Sequence, residues 1–360
     1  MVKPRDVGLL RLIAQRVAGP GSATATDAVR WMTATQAQDF SSAVLAIALR
    51  TQSRSRSDVH DALDSGSVVR SWPMRGTLHF VAAEDLAWML ALTAERSLAT
   101  SARYRAQLGL DLSTVERARE VAIETLAGGG RTSRADLLVS WEKAGLPTVK
   151  EHGYRLIWHL AQTGTLCLGP TGLGPTQCTE QHFVLLDEWI TTSRHLDHDE
   201  ALGEWALRYF RGHGPATVKD FTWWTQLKAA DVKVAIAIAA PQLERIVVED
   251  VTYYLDPQTL GVFDARRRKA RGVFLLPGFD EYLLGYQTRT DVLPPEFAAR
   301  IVPGSNGIFL PTVISDGEVV GTWKRAGTAT KRTLAASAFT DFGERVSAAT
   351  ERVYRRLPVG

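Results

Sequence analysis

Along this chain the spacing of apolar residues switches between a helical and a strand-like period, in an order that recurs three times. Each time a helix-length stretch leads into a small-residue turn and then into two short runs rich in β-branched and aromatic residues. In the first unit "SDVHDALDSG" leads into "SVVRSW", a turn at Pro73-Met74, and "RGTLHFV". In the second, "GYRLIWHLAQTG" leads into "TLCLG", a glycine-rich turn "PTGLGPTQ", and "HFVLLD". In the third, "DVKVAIAIAAPQ" leads into "ERIVVED" and "VTYYLDP". Helix starts agree with this order. Ser55 and Asp58, Ser133 and Asp136, and Thr217 and Asp220 each stand three apart, the spacing at which a hydroxyl and an acid satisfy the free amides of a first helical turn.

A helix followed by a two-stranded hairpin describes a winged helix-turn-helix, and three in tandem predict an α+β protein of curved, C-shaped architecture. Beyond the third unit, "NGIFLPTVISDGEVVGTWKR" predicts a hairpin around Asp316-Gly317, a favoured tight-turn pair. "LAASAFTDFGERVSAATERVYRRL" predicts a closing amphipathic helix. The expected segments are winged-helix units over 1–98, 99–199 and 200–262, then a β-rich region with its helix over 263–360.

Composition narrows the class. At 360 residues the chain can hold two or three cores. Its 45% hydrophobic and 22% charged content is that of an ordinary globular protein. No run of eighteen apolar residues exists, and "MVKPRDVGLLRLIAQRV" lacks the unbroken apolar stretch of a secretory signal, so a cytoplasmic protein is expected. Cys167 and Cys178 are too few for a zinc site and are expected as buried thiols in a reducing compartment. The net charge is only +3, yet "FDARRRKARGV" gathers Arg266, Arg267, Arg268, Lys269 and Arg271, and "TQSRSRSDV" adds Arg54 and Arg56. Basic clusters on a near-neutral background read as a local patch for a polyanion or, equally, as solvated loops.

In "RSWPMRGTLHF", Arg75, Thr77 and His79 share parity and would project from one sheet face, near Arg70. That face suits a wing laid on phosphates; it suits water equally. His195 and His198 lack further ligands nearby and read as exposed, while His152 and His159 flank an aromatic helix and read as structural. Asp280, after Pro-Gly-Phe, reads most simply as a helix N-cap. No dinucleotide fingerprint, Walker loop or HExxH motif occurs, so nucleotide-dependent and zinc-hydrolase chemistry are disfavoured. The stretch "TATQAQDF" is different. On a helix Gln36 and Gln38 would diverge by roughly 200°; on extended backbone they lie on one side. Extended backbone is expected just before a helix start, and Asp39 or Ser41 can supply the cap.

The residues resemble a family, the bacterial AlkZ-like DNA glycosylases, whose members look like tandem winged-helix proteins. The likeness lies in "RLIAQRV", "TQAQD", "ALDSGSVVRSWPMRGTLHFVAAEDLAWML" and "LLPGFDEYLLGYQTR", in this order over nearly the whole chain. What it implies is hydrolytic removal of N7-alkylated purines, including the unhooking of interstrand crosslinks made by genotoxic natural products. The family's catalytic Gln-x-Gln falls on Gln36 and Gln38, with Ala37 in the small middle position; a related subgroup carries Gln-x-Asp. The second glutamine places the chain nearer the crosslink-resistance branch. The reading implies double-stranded DNA as partner, no cofactor, no metal, no membrane, a monomer, and a place at the nucleoid. Its expected DNA-contacting residues are Arg50, Arg54, Arg70, Arg75, Thr77, His79, Arg266, Arg267, Arg268, Lys269, Arg271, Lys324 and Arg325. A non-catalytic winged-helix regulator and a protein-interaction scaffold are the competing readings. The first would prefer an operator sequence, and the second would show no DNA affinity.

Overall fold

The computed structural model describes residues 2–172, 181–327 and 332–358. By compactness the chain divides into two units: one joins residues 1–59 to 202–360, and the other is the continuous segment 60–201. The first unit is assembled from two segments far apart in sequence.

The first unit begins with α1 (Pro4–Ala14), α2 (Ala25–Met32), the short β1 (Ala34–Gln36) and α3 (Phe40–Ala48). Then α4 (Arg56–Asp64) spans the boundary. The second unit holds β2 (Val68–Met74), β3 (Thr77–Ala82), α5 (Leu86–Gln107), α6 (Leu112–Leu126), α7 (Arg134–Lys143), α8 (His152–Gln162), β4 (Leu166–Thr171), β5 (Gln181–Leu185) and α9 (Leu186–Trp189). Its strands run in the order β3, β2, β4, β5, antiparallel throughout. They pack on a core that includes Trp72, Leu137, Trp141, Leu156 and Phe183.

The chain re-enters the first unit along α10 (His198–His213) and continues through α11 (Val218–Thr225) and α12 (Ala229–Ala239) to the hairpin β6 (Glu244–Val248) and β7 (Val251–Leu255). Next come α13 (Pro257–Gly261), α14 (Phe263–Ala270), β8 (Val273–Leu276), α15 (Glu281–Leu284) and α16 (Ala298–Ile301). A last stretch supplies β9 (Thr312–Ser315), β10 (Glu318–Gly327), β11 (Arg332–Ala338) and α17 (Gly343–Arg355). Strands β8 to β11 form an antiparallel sheet in sequential order. Leu9, Leu10, Leu12 and Ile13 of α1 share one apolar core with Leu275, Leu276, Val313 and Ile314 of that sheet.

The helix-then-hairpin order is present three times, as α4–β2–β3, α8–β4–β5 and α12–β6–β7. All three hydroxyl caps form: Ser55 Oγ accepts from Asp58 N–H at 3.2 Å, Ser133 Oγ from Asp136 N–H at 3.1 Å and Thr217 Oγ1 from Asp220 N–H at 3.1 Å. Three details differ from expectation. Strand β2 runs through Pro73 and Met74, and the first hairpin turns at Arg75-Gly76, where both residues have positive φ as a type I′ turn requires. The basic run is a helix, α14, not a loop. Residues 334–338 of the expected closing helix extend β11, because their partners Gly321 to Arg325 on β10 take up their backbone hydrogen bonds. The Asp316-Gly317 turn lies where it was expected. Cys167 is buried, and burial pushes its thiol up to about 12; Cys178 and the "PTGLGPTQ" turn from Leu173 on lie outside the described residues.

Candidate active site

Gln36 ends β1 and the chain bends at Gln38 and Asp39; Asp39, whose own φ and ψ are extended, caps α3 through its carboxylate, which accepts from Ser42 N–H at 2.7 Å. Asp39 therefore takes the capping role that the sequence left between it and Ser41. Ser41 instead accepts from Arg56 Nη2 at 2.9 Å. Ala37 is sealed in the core, Gln36 keeps 8% of its surface, and Gln38 is exposed. The pair consists of an inner amide and an outer one. The extended backbone expected up to the helix start reaches only Gln36, where β1 ends, and the chain bends at Gln38 and Asp39.

Behind Gln36 lies a residue that sequence reasoning missed. Glu281, the first residue of α15, is fully buried. Its Oε1 accepts the Gln36 backbone N–H at 2.9 Å, and its Oε2 accepts the Trp224 indole N–H at 3.0 Å. His213 Nε2 stands 3.5 Å from the same Oε2, with its ring stacked on Tyr209 at 4.7 Å. The one available signal was the acidic pair in "GFDEYLL", of which Asp280 alone drew notice.

Asp280 caps α15 as expected, accepting from Tyr282 N–H at 2.9 Å, and also grips a cation. Both carboxylate oxygens take hydrogen bonds from Arg50, each at 2.9 Å. Arg50 also donates to Gln15 Oε1 at 2.7 Å, and Gln15 Nε2 donates to the Glu281 carbonyl at 3.3 Å. Burial by itself would lower the Arg50 pKa, but Asp280 at contact, with Glu281 and Tyr286 further off, raises it above its ordinary value. Arg50 is 1% exposed, so its expected role on the DNA surface is corrected: it is half of a buried ion pair bracing α15.

The remaining cations sort by partner. Arg267 pairs with Asp6 at 2.8 Å and Arg271 with Asp316 at 3.1 Å. Lys269 reaches the Gly19 carbonyl at 3.4 Å. Arg268, Lys269, Arg54 and Lys324 are exposed, while Arg266 and Arg325 are half-buried. Arg325 and Arg332 repel Arg56 strongly enough that, after its own desolvation, they help lower its pKa. In the second unit Arg70 donates to Gln181 at 3.1 Å. Arg75, Thr77 and His79 do cluster, but His79 is fully buried and not open on a face. Its Nδ1 lies 2.8 Å from the Thr77 carbonyl, which can only accept, so Nε2 is left to accept from Arg75 Nη2 at 3.1 Å. His79 thus steadies Arg75 and does not itself meet a ligand.

His195 and His198 are exposed, and the His152 ring bridges the Val149 and Leu108 carbonyls at 2.8 and 3.0 Å. Among the described residues no three His, Cys, Asp or Glu side chains gather as a metal ion would need. None of the described helices is long and apolar enough to cross a membrane.

Fold and site define a mixed α/β protein in which the strand end at Gln36 is tied to a buried glutamate. Residues 29–358 match the model of the family described as DNA glycosylase AlkZ-like. The chain is 28% identical over 311 residues to an interstrand DNA cross-link repair glycosylase of Streptomyces sahachiroi, covering 84% of this chain and 82% of that protein. The solved structure of Streptomyces sahachiroi DNA glycosylase AlkZ aligns with a TM-score of 0.81 at 24% identity, over 99% of this chain and 96% of that one. The chain belongs to the AlkZ-like DNA glycosylase family.

Proposed function

We propose that this glycosylase hydrolyses the N-glycosidic bond of N7-alkylated purines in duplex DNA and unhooks interstrand crosslinks of that chemistry. The observation that carries the reading is Gln36 at the end of β1, with the exposed Gln38 two residues on, in a chain related to a cross-link repair glycosylase. In the reaction, water oxygen bonds to C1′ as the bond from C1′ to the base breaks. The base leaves with the electron pair, which cancels the positive charge that alkylation placed on it, and the water proton passes to solvent. A leaving group already charged needs no strong acid. The protein has to orient water and favour a cationic sugar, and neutral amides that both donate and accept are suited to that task. Gln36 is assigned to the inner position and Gln38 to the open one. A crosslinked base cannot be swung out of the duplex, which favours an amide pair reached from a groove over a deep pocket.

The three helix–hairpin repeats are read as tandem winged helices. Arg54, Arg70, Arg75, Thr77, Arg266, Arg268, Lys269, Lys324 and Arg325 remain the proposed phosphate contacts. The enzyme is taken to work as a cofactor-free, monofunctional monomer at the nucleoid of the cytoplasm.

The test is base release from duplex carrying N7-methylguanine and, separately, from crosslinked duplex, scored as abasic sites. The parent protein is expected to release base, and Gln36→Ala/Gln38→Ala together to abolish release while duplex affinity stays within about twofold. Release by the double variant at the parental rate would remove the two amides from the chemistry. A preference for one undamaged sequence, with no release by the parent, would identify a regulator instead.

A further inference from the structure

We infer that Glu281 is a positioning residue for the reaction, holding the Gln36 limb of the amide pair through the Gln36 peptide N–H; the inference rests on the assignment of Gln36 to the chemistry. Glu281 is fully buried, and a carboxylate is an expensive way to fill a core position. Its Oε1 takes the Gln36 N–H at 2.9 Å and Oε2 the Trp224 N–H at 3.0 Å, with His213 Nε2 lying 3.5 Å from Oε2. The main chain on which the carboxylate stands is itself held. Gln15 donates to the Glu281 carbonyl at 3.3 Å, and Asp280, one residue earlier, is locked by the two terminal guanidinium nitrogens of Arg50. The backbone of Gln36 is thereby tied to a braced carboxylate, and the direction of the Gln36 side chain follows from that backbone. Glu281 touches no reacting atom in this arrangement.

Three variants separate positioning from simple support. Glu281→Asp keeps the charge but withdraws it by one methylene. Glu281→Gln keeps an acceptor for Gln36 but turns an NH2 toward the Trp224 indole N–H, setting two donors face to face. Trp224→Phe removes that second donor, so Glu281→Gln/Trp224→Phe can again offer its carbonyl to Gln36. Single-turnover base release is expected to fall about ten- to a hundredfold in Glu281→Asp and Glu281→Gln, with lesion-duplex affinity unchanged, and to recover in the double variant. Parental rates in both single variants, or no recovery in the double variant, would overturn the assignment.

A second readout needs no activity. In protein labelled with 15N-glutamine, the Gln36 amide, identified by its loss in Gln36→Asn, is expected to exchange with solvent about tenfold faster or more in Glu281→Asp, other glutamine amides being unaffected. Unchanged exchange would show that Glu281 does not hold Gln36. If the parent releases no base, the proposed function fails, and this exchange measurement still decides whether Glu281 anchors the strand.

Discussion

Arg50 shows what burial does to a charge that looks available in the sequence. It lies next to Thr51 and four residues before Arg54, in what reads as a basic approach to DNA, yet it is enclosed and shared between Asp280 and Gln15. Arg50→Ala is expected to destabilise the protein by about 3–5 kcal/mol, because it leaves Asp280 buried without its cation. Thermal or urea denaturation measures this, and the salt dependence of DNA binding should not move. A stability loss below about 1 kcal/mol would mean the pair is solvated after all. At this scale the helix cap at Asp39 was legible, since a cap is decided within one helical turn. Glu281 was not, because nothing local distinguishes a buried glutamate from the many exposed ones. What buries it is the meeting of β1, α11 and α15, far apart in sequence.

Among elements, the hydroxyl caps and the hairpins were readable because a cap or a tight turn is decided within about four residues. The first hairpin turn was misplaced by two residues, proline being taken as the turn when Arg75-Gly76 supplies the positive φ. Strand β11 was hidden for another reason: its alanine-rich run has helical propensity, and pairing with β10 overrides it. Helix α14 sharpens what its basic run can do. Arg267 and Arg271 are engaged with Asp6 and Asp316, so Arg266 and Arg268 carry its expected contribution to DNA. Replacing these two by alanine should weaken binding at every sequence and flatten the plot of log affinity against log salt by about 0.9 for each phosphate no longer neutralised. An unchanged slope would take α14 off the DNA surface. The packing of α1 against the β9–β10 turn is equally specific. A Cβ on Gly8 would stand 2.3 Å from the Gly317 carbonyl oxygen. Gly8→Ala is therefore expected to cost about 1–3 kcal/mol, read from the denaturation midpoint, by wedging the turn away. A neutral result would mean the turn shifts freely.

On the scale of the whole molecule, the first compact unit is closed by segments that begin and end the chain, with residues 60–201 running between its two parts. Helix α1 shares its core with the nearby Leu45 and Leu49, but most of its partners lie in β8, β9 and the helices around them, more than two hundred residues later. A fragment ending at residue 201 is therefore expected to leave α1 to α3 without that core. It should bind a hydrophobic dye and lack protected amides over residues 4–48, while the full chain protects them, as hydrogen exchange would show. Protection of α1 in the fragment equal to that in the full chain would contradict this grouping.

The sequence by itself determined what depends on near neighbours: the recurring helix–hairpin order, the caps and the Asp316-Gly317 turn. It also carried the family likeness, since that is borne by contiguous motifs. Tertiary structure alone decided which charges were removed from water. Arg50 and His79 were withdrawn inward, Arg267 and Arg271 were given acidic partners, and Glu281 was set behind Gln36. The physical reason is that burial and pairing are properties of segments meeting across long sequence separations, and no local period encodes which segments meet.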